Sequence, residues 1–333
     1  MTLTYDRFNR LNAPDQTCPQ DTESPLTGPV EKQFFISMTR SITPDSKIQG
    51  FEIRAPGVQT APVVFNSPHS GRHYSPEFQK LSRLDLHNLR RSEDCFVDEL
   101  FETASALGAP LMKAHFPRAW LDLNREPFEL DPTMFRDPLP AHVNAGSVRV
   151  AGGLGTIPRI VSEGENIYAG KLAWTDAEDR IANFYMPYHE ALRTLMASTY
   201  RKFQIAILVD CHSMPSVAGL SGNGRPDIVL GDRHGTSCAP WVTRQLEEQL
   251  RAHGLKVSRN RPYAGGFITQ KFGRPREGIH AIQIEINRSL YMNEATLSKT
   301  RSFTRIQTLM LDVMSRFIDR ASDGMAHRAI AAE

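Results

Sequence analysis

The sequence predicts an α/β protein built as a three-layer sandwich with a mostly parallel or mixed central sheet. From about residue 60 onward, short apolar segments rich in β-branched residues alternate with segments of helical periodicity. Residues 205–209 (IAILV) form a continuous apolar run, which is typical of a strand that is buried on both faces. Helices are therefore expected to cover the sheet on its two sides.

Strands and helices are assigned along the chain from apolar patterns and from capping residues. The predicted strands are residues 61–67, 110–116, 120–123, 205–209, 227–230 and 281–286. The predicted helices are a segment through residues 100–107 behind an N-cap at Asp94, residues 175–202 capped by Thr175, residues 236–253 ending at Gly254, and residues 293–321 capped by Asn293.

The 333 residues suit one large domain or two small ones, and we assign a single α/β domain to residues 37–325. Residues 1–36 are predicted to be a flexible or surface-draped extension, since residues 12–29 are rich in Pro, Thr, Asp and Gln. Residues 326–333 are predicted to be a short tail.

Composition excludes several classes of protein. A formal net charge of +2 with scattered basic residues gives no reason to expect nucleic acid or an anionic membrane as partner. No apolar stretch approaches the length of a membrane helix, and the polar N-terminus lacks the features of a signal peptide. The cysteines lie far apart, which argues against a disulfide framework and excludes a cysteine zinc knuckle: Cys18, Cys95, Cys211 and Cys238. A cytoplasmic location is expected.

Two histidines follow predicted core strands. His69 comes after residues 61–67 in a Pro-His-Ser-Gly turn, and His212 comes after residues 205–209. Either one alone suits a structural role, but ligands in such sheets bind at the carboxyl ends of strands, and two imidazoles plus a carboxylate form a usual catalytic zinc site. Glu93 and Asp94 are the candidate acidic ligands. The alternative for Asp94 is the helix cap noted above.

A buried carboxylate is predicted at Glu285, between two isoleucines on a predicted core strand. Its functional interpretation is a general base that takes a proton from the attacking water, and burial would raise its pKa in the useful direction. The structural alternative is a buried ion pair with an arginine.

Arginines near the predicted strand ends are candidate anion ligands. Arg125 follows Asp122-Leu-Asn, with Arg118 just before, and an arginine fork can bind a substrate carboxylate through two hydrogen bonds. The alternative is a structural ion pair with Asp122. Arg274 and Arg276 lie in a Gly/Pro-rich loop that could close over a site and bind a second carboxylate.

The chain resembles the N-formylglutamate amidohydrolase family over roughly residues 60 to 295. Five motifs occur in the order seen in that family: Asn66-Ser-Pro-His-Ser-Gly71, Ser92-Glu-Asp94, Asp122-Leu-Asn-Arg125, Asp210-Cys-His-Ser213 and Gln283-Ile-Glu285. The family is similar to zinc carboxypeptidases and to the aspartoacylase and succinylglutamate desuccinylase group, so the resemblance implies a zinc-carboxypeptidase-like α/β fold.

The resemblance implies a role for each matching residue. It implies that His69 and His212 bind zinc, that Asn124 and Arg125 bind a substrate carboxylate, that Arg118 contacts the substrate or the oxyanion, and that Glu285 is the base. One position departs from the carboxypeptidase-like pattern, because Arg72 stands three residues after the first histidine, where that group has its acidic ligand. We therefore choose Asp94, over Glu93, as the third ligand.

The expected activity is zinc-dependent hydrolysis of a small N-acyl amino acid, foremost N-formyl-L-glutamate to formate and L-glutamate. Rival hypotheses are a related N-acyl amino-acid deacylase, a carboxypeptidase-like peptidase, and a non-catalytic protein that binds metal and acidic ligands. A nucleophilic hydrolase using Ser70, Ser213 or Cys211 is disfavoured, since no G-x-S-x-G motif surrounds the serines and Cys211 precedes the histidine without replacing it.

Overall fold

The computed structural model describes residues 50–161, 164–216 and 225–330, with only the backbone described for residues 323–330. The predicted N-terminal extension, residues 1–36, lies outside these ranges. Within the described ranges, no helix combines the length and the apolar character that crossing a bilayer requires.

A seven-stranded mixed sheet forms the centre of the fold, as predicted. Its spatial order is β1-β3-β2-β4-β7-β5-β6, and the middle strands β3, β2, β4 and β7 are mutually parallel. Strand β1 runs antiparallel to β3, and β5 runs antiparallel to β7. The strands are β1 (Phe51–Arg54), β2 (Val63–Ser67), β3 (Leu111–Ala114), β4 (Ala206–Met214), β5 (Ile228–Gly231), β6 (Val257–Arg259) and β7 (Ile279–Asn287).

Helices surround this sheet, and a two-stranded hairpin of β8 (Met292–Asn293) and β9 (Ser298–Lys299) lies apart from it. The described α-helices are α1 (Pro76–Leu81), α2 (Leu86–Arg90), α3 (Val97–Leu100), α4 (Val148–Ala151), α5 (Trp174–Arg180), α6 (Met186–Phe203), α7 (Pro240–Ala252), α8 (Phe267–Phe272) and α9 (Phe303–Ile330). Helix α9 therefore continues into the range predicted as a C-terminal tail.

Side chains alternate between the two faces of β4, and each face has its own apolar core. Ile207, Val209 and Cys211 pack in one cluster with residues of α7 and α9. Leu208 points to the opposite face and packs in a second cluster with residues of α5 and α6. The sheet is thus covered on both sides, which confirms the predicted three-layer α/β class.

Two predicted elements are wrong in kind. Residues 120–123 form turns and irregular backbone, because Leu121 and Leu123 enter the core without joining the sheet. Asn293 does not cap the last helix: its Oδ1 accepts from the backbone N–H of Ala295 and Thr296 in the β8–β9 turn, and α9 begins at Phe303. Residues 120–123 have the apolar residues of a strand, and Asn293 is a residue type that caps helices. In both cases tertiary contacts, which local sequence patterns do not include, decide the structure that forms.

Candidate metal and catalytic site

The polar residues of the candidate site lie at the carboxyl ends of neighbouring parallel strands. His69 follows β2, while His212 and Glu285 lie near the ends of β4 and β7. His212 and Glu285 are register partners, so the strand pairing itself places them side by side. All three side chains are buried. The structure therefore brings these predicted residues together at one edge of the sheet.

The predicted metal ligands form one compact cluster. Nδ1 of His212 lies 2.9 Å from Oδ2 of Asp94, and Nδ1 of His69 lies 3.5 Å from the same oxygen. One candidate ligand atom from each residue lies within 4.8 Å of the others, and no residue of the three is more than 3% exposed. Two imidazole nitrogens and a carboxylate oxygen at this spacing could hold a metal ion.

The other nitrogen of each imidazole is bonded to a carboxylate of its own. His69 Nε2 donates to Asp122 Oδ1 at 2.7 Å, and His212 Nε2 donates to Asp210 Oδ2 at 2.9 Å. Because Nε2 keeps its proton in these bonds, Nδ1 is the nitrogen that can give up its proton and offer a lone pair to a metal. His69 Nδ1 is buried and makes no hydrogen bond to any described residue. The donor set therefore fits a metal ion, which would satisfy this unpaired nitrogen.

Asn66 bonds to the carboxylate of Asp210 and is itself held by Tyr188. Asn66 Nδ2 donates to Asp210 Oδ1 at 2.7 Å, and the Tyr188 hydroxyl donates to Asn66 Oδ1 at 2.6 Å. Asp210 was not singled out in the sequence analysis, although a usable signal exists. Residues two apart on a strand share a face, so Asp210 and His212 had to point the same way.

Asp94 is held as an anion. Burial alone would raise the pKa of its carboxyl group, but without a metal a hydrogen bond from the protonated Nδ1 of His212 and the charge of the two histidines lower that pKa well below the ordinary range. Arg288 adds a contact of 3.3 Å between its Nη2 and Asp94 Oδ1. An ionised carboxylate facing two imidazoles is what a divalent cation requires of an acidic ligand.

The helix cap predicted at Asp94 is absent. Helix α3 begins after Phe96, which has a left-handed backbone (φ 64°) and makes no side-chain cap bond. The backbone oxygen of Asp94 accepts from Val97 N–H, while its side chain turns to the histidines. Glu93 pairs instead with Arg90, at 3.1 Å between Oε1 and Nε. Of these two acidic side chains, only Asp94 faces the histidine pair.

The Glu285 carboxylate is held by an amide. Gln283 Nε2 donates to Glu285 Oε1 at 2.7 Å, and Gln283 Oε1 accepts from Gly266 N–H at 2.8 Å. Within the described part of the chain, no arginine forms a salt bridge with Glu285, so the structural alternative finds no partner there. Burial raises the pKa of Glu285 to about 7, although the positive charge of His212 opposes the shift. Such a value suits a general base at neutral pH.

Arg118 and Arg125, two of the predicted substrate ligands, lie beside Asp122. Arg118 Nη2 donates to Asp122 Oδ2 at 2.8 Å, and Arg125 Nη2 lies 3.8 Å from the same oxygen. Arg125 also donates to the backbone oxygens of Asn124 and Leu154, at 2.8 and 2.7 Å. The two guanidinium groups thus lie beside the carboxylate that bonds to His69.

Asn124 connects three parts of the site. Its Oδ1 accepts from Ile268 N–H at 2.8 Å, and its Nδ2 lies 3.2 Å from His212 Nε2. The side chain is buried. A Cβ atom on Gly266 would come within 2.4 Å of this amide, which explains the glycine there. Asn124 therefore bonds its own turn to α8, and its side chain lies against His212.

Arg274 and Arg276 lie away from the cluster. Arg274 forms a bridge with Ile279, the first residue of β7, and an ion pair with Glu277. Glu285 lies near the other end of that strand, and a rise of about 3.3 Å per residue puts roughly 20 Å between Ile279 and Glu285. The structure does not bring this loop to the site, and the substrate-binding role of both arginines stays a prediction.

An irregular helical turn supports the Asp122–Arg125 segment from behind. The chain from α5 to α6 is continuous but passes through a π-turn at Ile181–Tyr185, a feature that is frequent at functional sites. The Tyr185 hydroxyl donates to Arg125 O at 2.6 Å, and His189 Nε2 donates to Leu123 O at 2.9 Å. These bonds anchor the backbone that presents Arg125.

A buried His/Asp/His cluster with a carboxylate beside it, at the carboxyl ends of parallel strands, has the composition of a metal-dependent hydrolase site. Comparison with known families agrees with this class. The sequence profile of the family described as N-formylglutamate amidohydrolase matches residues 61–292. The chain belongs to the N-formylglutamate amidohydrolase family, which confirms the resemblance seen in its motifs.

Individual relatives support the same membership. The chain is 29% identical over 238 residues to the N-formylglutamate deformylase of Pseudomonas aeruginosa, covering 70% of this chain and 83% of that one. It is 29% identical over 237 residues to the enzyme of that name from Pseudomonas putida, covering 70% and 82%. The crystal structure of N-formylglutamate amidohydrolase from Ralstonia eutropha JMP134 superposes with a TM-score of 0.79 at 34% identity, covering 83% of this chain and all of that one.

Proposed function

We propose that this chain hydrolyses the amide bond of N-formyl amino acids, with N-formyl-L-glutamate as the preferred substrate, and releases formate and L-glutamate. The observation that supports this most directly is the His69/Asp94/His212 cluster with Glu285 as its register neighbour. The relatives named N-formylglutamate deformylase support the choice of acyl group and amino acid.

We propose zinc as the metal of this cluster. Two histidines and one carboxylate are the ligands of known catalytic zinc sites, and they leave a position open for substrate or water. When bound, zinc supplies Lewis acidity toward the formyl carbonyl and the attacking water. His69, Asp94 and His212 would hold it, while Asp122 and Asp210 orient the two imidazoles.

Glu285 moves the proton in this proposal. Its carboxylate takes a proton from the attacking water and then delivers it to the departing amine nitrogen of the amino acid. The Gln283 amide donates to Oε1 of Glu285, so Oε2 is the oxygen that takes the proton. Arg118, held by Asp122, places positive charge where the tetrahedral oxyanion forms.

Arg125 binds the amino-acid carboxylate. Its Nε and Nη1 are fixed by backbone oxygens, so the remaining Nη2 group is aimed before the substrate arrives. Asn124, which was predicted as a second carboxylate ligand, holds Arg125 through its backbone oxygen and uses its Oδ1 to accept from Ile268 N–H, so its Nδ2 group is the part that donates to the substrate carboxylate.

The activity should rise with pH as Glu285 loses its proton. A base works only when ionised, so the rate falls when the pH drops through the pKa of about 7. A bound divalent cation favours the carboxylate, so we expect the midpoint of this rising limb in kcat/KM at or below that value. In the Glu285→Gln variant, kcat/KM should no longer rise with pH in this range. If the same rise were seen in that variant, the titrating group would be a residue other than Glu285.

Formate release from N-formyl-L-glutamate tests the proposal. Purified protein is assayed as isolated, after chelation, and after zinc is added back, alongside N-acetyl- and N-succinyl-L-glutamate. We expect chelation to abolish formate release, zinc to restore it, and the bulkier acyl groups to react far more slowly. If zinc-loaded protein releases no acyl group from any of these substrates, the hydrolase proposal is wrong and a binding role is left.

A further inference from the structure

The proposed substrate has two carboxylates, and the residues described so far account for one. Arg125 is aimed at the carboxylate next to the scissile amide. Arg118 is bonded to Asp122 and placed for the oxyanion. A glutamate side chain would bring a second carboxylate into the site. That carboxylate needs a cation or several hydrogen bonds to replace the water that it loses.

Leu154 connects the backbone of Arg149 to the side chain of Arg125. Arg149 belongs to α4, whose first turn is capped by Ser147, with Oγ accepting from Val150 N–H at 3.0 Å. Its own backbone oxygen accepts from Leu154 N–H at 2.7 Å, and Leu154 O accepts from Arg125 Nε at 2.7 Å. One residue, Leu154, therefore bonds both to the Arg149 backbone and to the Arg125 guanidinium.

Arg149 is half-buried, and no carboxylate of the described residues forms an ion pair with it. Burial and the positive charges of Arg118 and Arg149 lower the pKa of Arg125, which the carboxylates of Asp122 and Glu129 only partly offset. Asp122 is already bonded to His69 and Arg118. An incoming anion would relieve this crowding of positive charge.

We propose that Arg149 binds the side-chain carboxylate of the substrate, while Arg125 binds the carboxylate next to the scissile amide. Arg149 is then the residue that makes an acidic side chain preferable to a neutral one. This assignment rests on the proposed N-formyl amino-acid hydrolase function. It gives the second-carboxylate role predicted for Arg274 and Arg276 to a residue that adjoins the site.

The test compares N-formyl-L-glutamate with N-formyl-L-glutamine, in which a neutral amide replaces the side-chain carboxylate. Arg149→Met, Arg149→Lys and wild type are assayed on both substrates. Arg316→Met serves as matched control, since Arg316 is an exposed arginine on α9 that pairs with Asp312. Thermal unfolding midpoints show that each variant is folded.

We expect Arg149→Met to raise KM for N-formyl-L-glutamate about 30-fold, equivalent to ~2 kcal/mol, with kcat nearly unchanged. The values for N-formyl-L-glutamine should stay as in wild type, so the preference for glutamate is lost. Arg149→Lys should keep part of the preference for N-formyl-L-glutamate, because lysine retains the positive charge but lacks the planar guanidinium that can donate two hydrogen bonds to one carboxylate. Arg316→Met should match wild type on both substrates.

Two results would overturn this assignment. Equal losses on both substrates would show that Arg149 only maintains structure, and unchanged kinetics on both would show that it does not contact the side chain. Failure of the underlying function looks different: wild type itself would release no formate from either compound, which removes the proposed function and this assignment together.

Discussion

Replacing Glu285 by glutamine is expected to lower kcat for formate release by about a thousandfold, in the range that general acid–base groups contribute. Glutamine has nearly the same shape and can still bond to the Gln283 amide, but it cannot accept a proton. Metal content and KM should stay within a few fold of wild type, because Glu285 is not one of the clustered ligands. Steady-state kinetics and metal analysis on the same preparation measure both quantities.

A matched glutamate provides the control. Glu277 lies near the opposite end of β7 and is exposed, so Glu277→Gln should leave kcat unchanged. If Glu285→Gln retained most of wild-type kcat with one metal bound, another group would be the base. If it lost its metal, Glu285 would belong to the ligand set.

Replacing Asp94 by asparagine is expected to abolish stable metal binding, while the neighbouring Glu93→Gln variant keeps it. Losing a hydrogen bond to a ligand typically weakens metal affinity roughly 10- to 100-fold, and losing the only anionic ligand should cost more. Asp94 Oδ2 faces both histidine Nδ1 atoms, whereas Glu93 is paired with Arg90. Competition with a chromophoric zinc chelator gives the affinities, and formate release should fall in parallel.

Comparing Asp94→Asn with Glu93→Gln separates loss of a metal ligand from a general loss of negative charge. Both changes are isosteric, and both remove one charge from a buried carboxylate. Equal loss of zinc in both variants would point to a general effect of negative charge or of folding. Zinc loss in Glu93→Gln alone would reverse the assignment of the acidic ligand.

Residues at strand ends were the part of the site that sequence could predict. Apolar, β-branched runs identify β2, β4 and β7, and His69, His212 and Glu285 follow from the rule that ligands lie at their carboxyl ends. This works because strand periodicity is a local property of the sequence.

The remaining parts depend on tertiary contacts. An aspartate before a helix is ordinarily a cap, and only the approach of β4 turns the Asp94 side chain toward His212 instead. Loop composition does not reveal which end of a sheet a loop occupies, so the sequence alone does not show that Arg274 lies beside the first residue of β7. Asp122 needed the fold as well, since its partner His69 is distant in sequence.

The pairing of His212 with Glu285 across β4 and β7 constrains how this protein can change over evolution. A single-residue insertion in either strand, upstream of the pair, would turn the displaced side chain to the opposite face of the sheet. It would separate a proposed metal ligand from the proposed base without altering either residue. Length variation among active relatives should therefore fall in the connections around these strands, while the stretches Ala206–Met214 and Ile279–Asn287 keep a constant length.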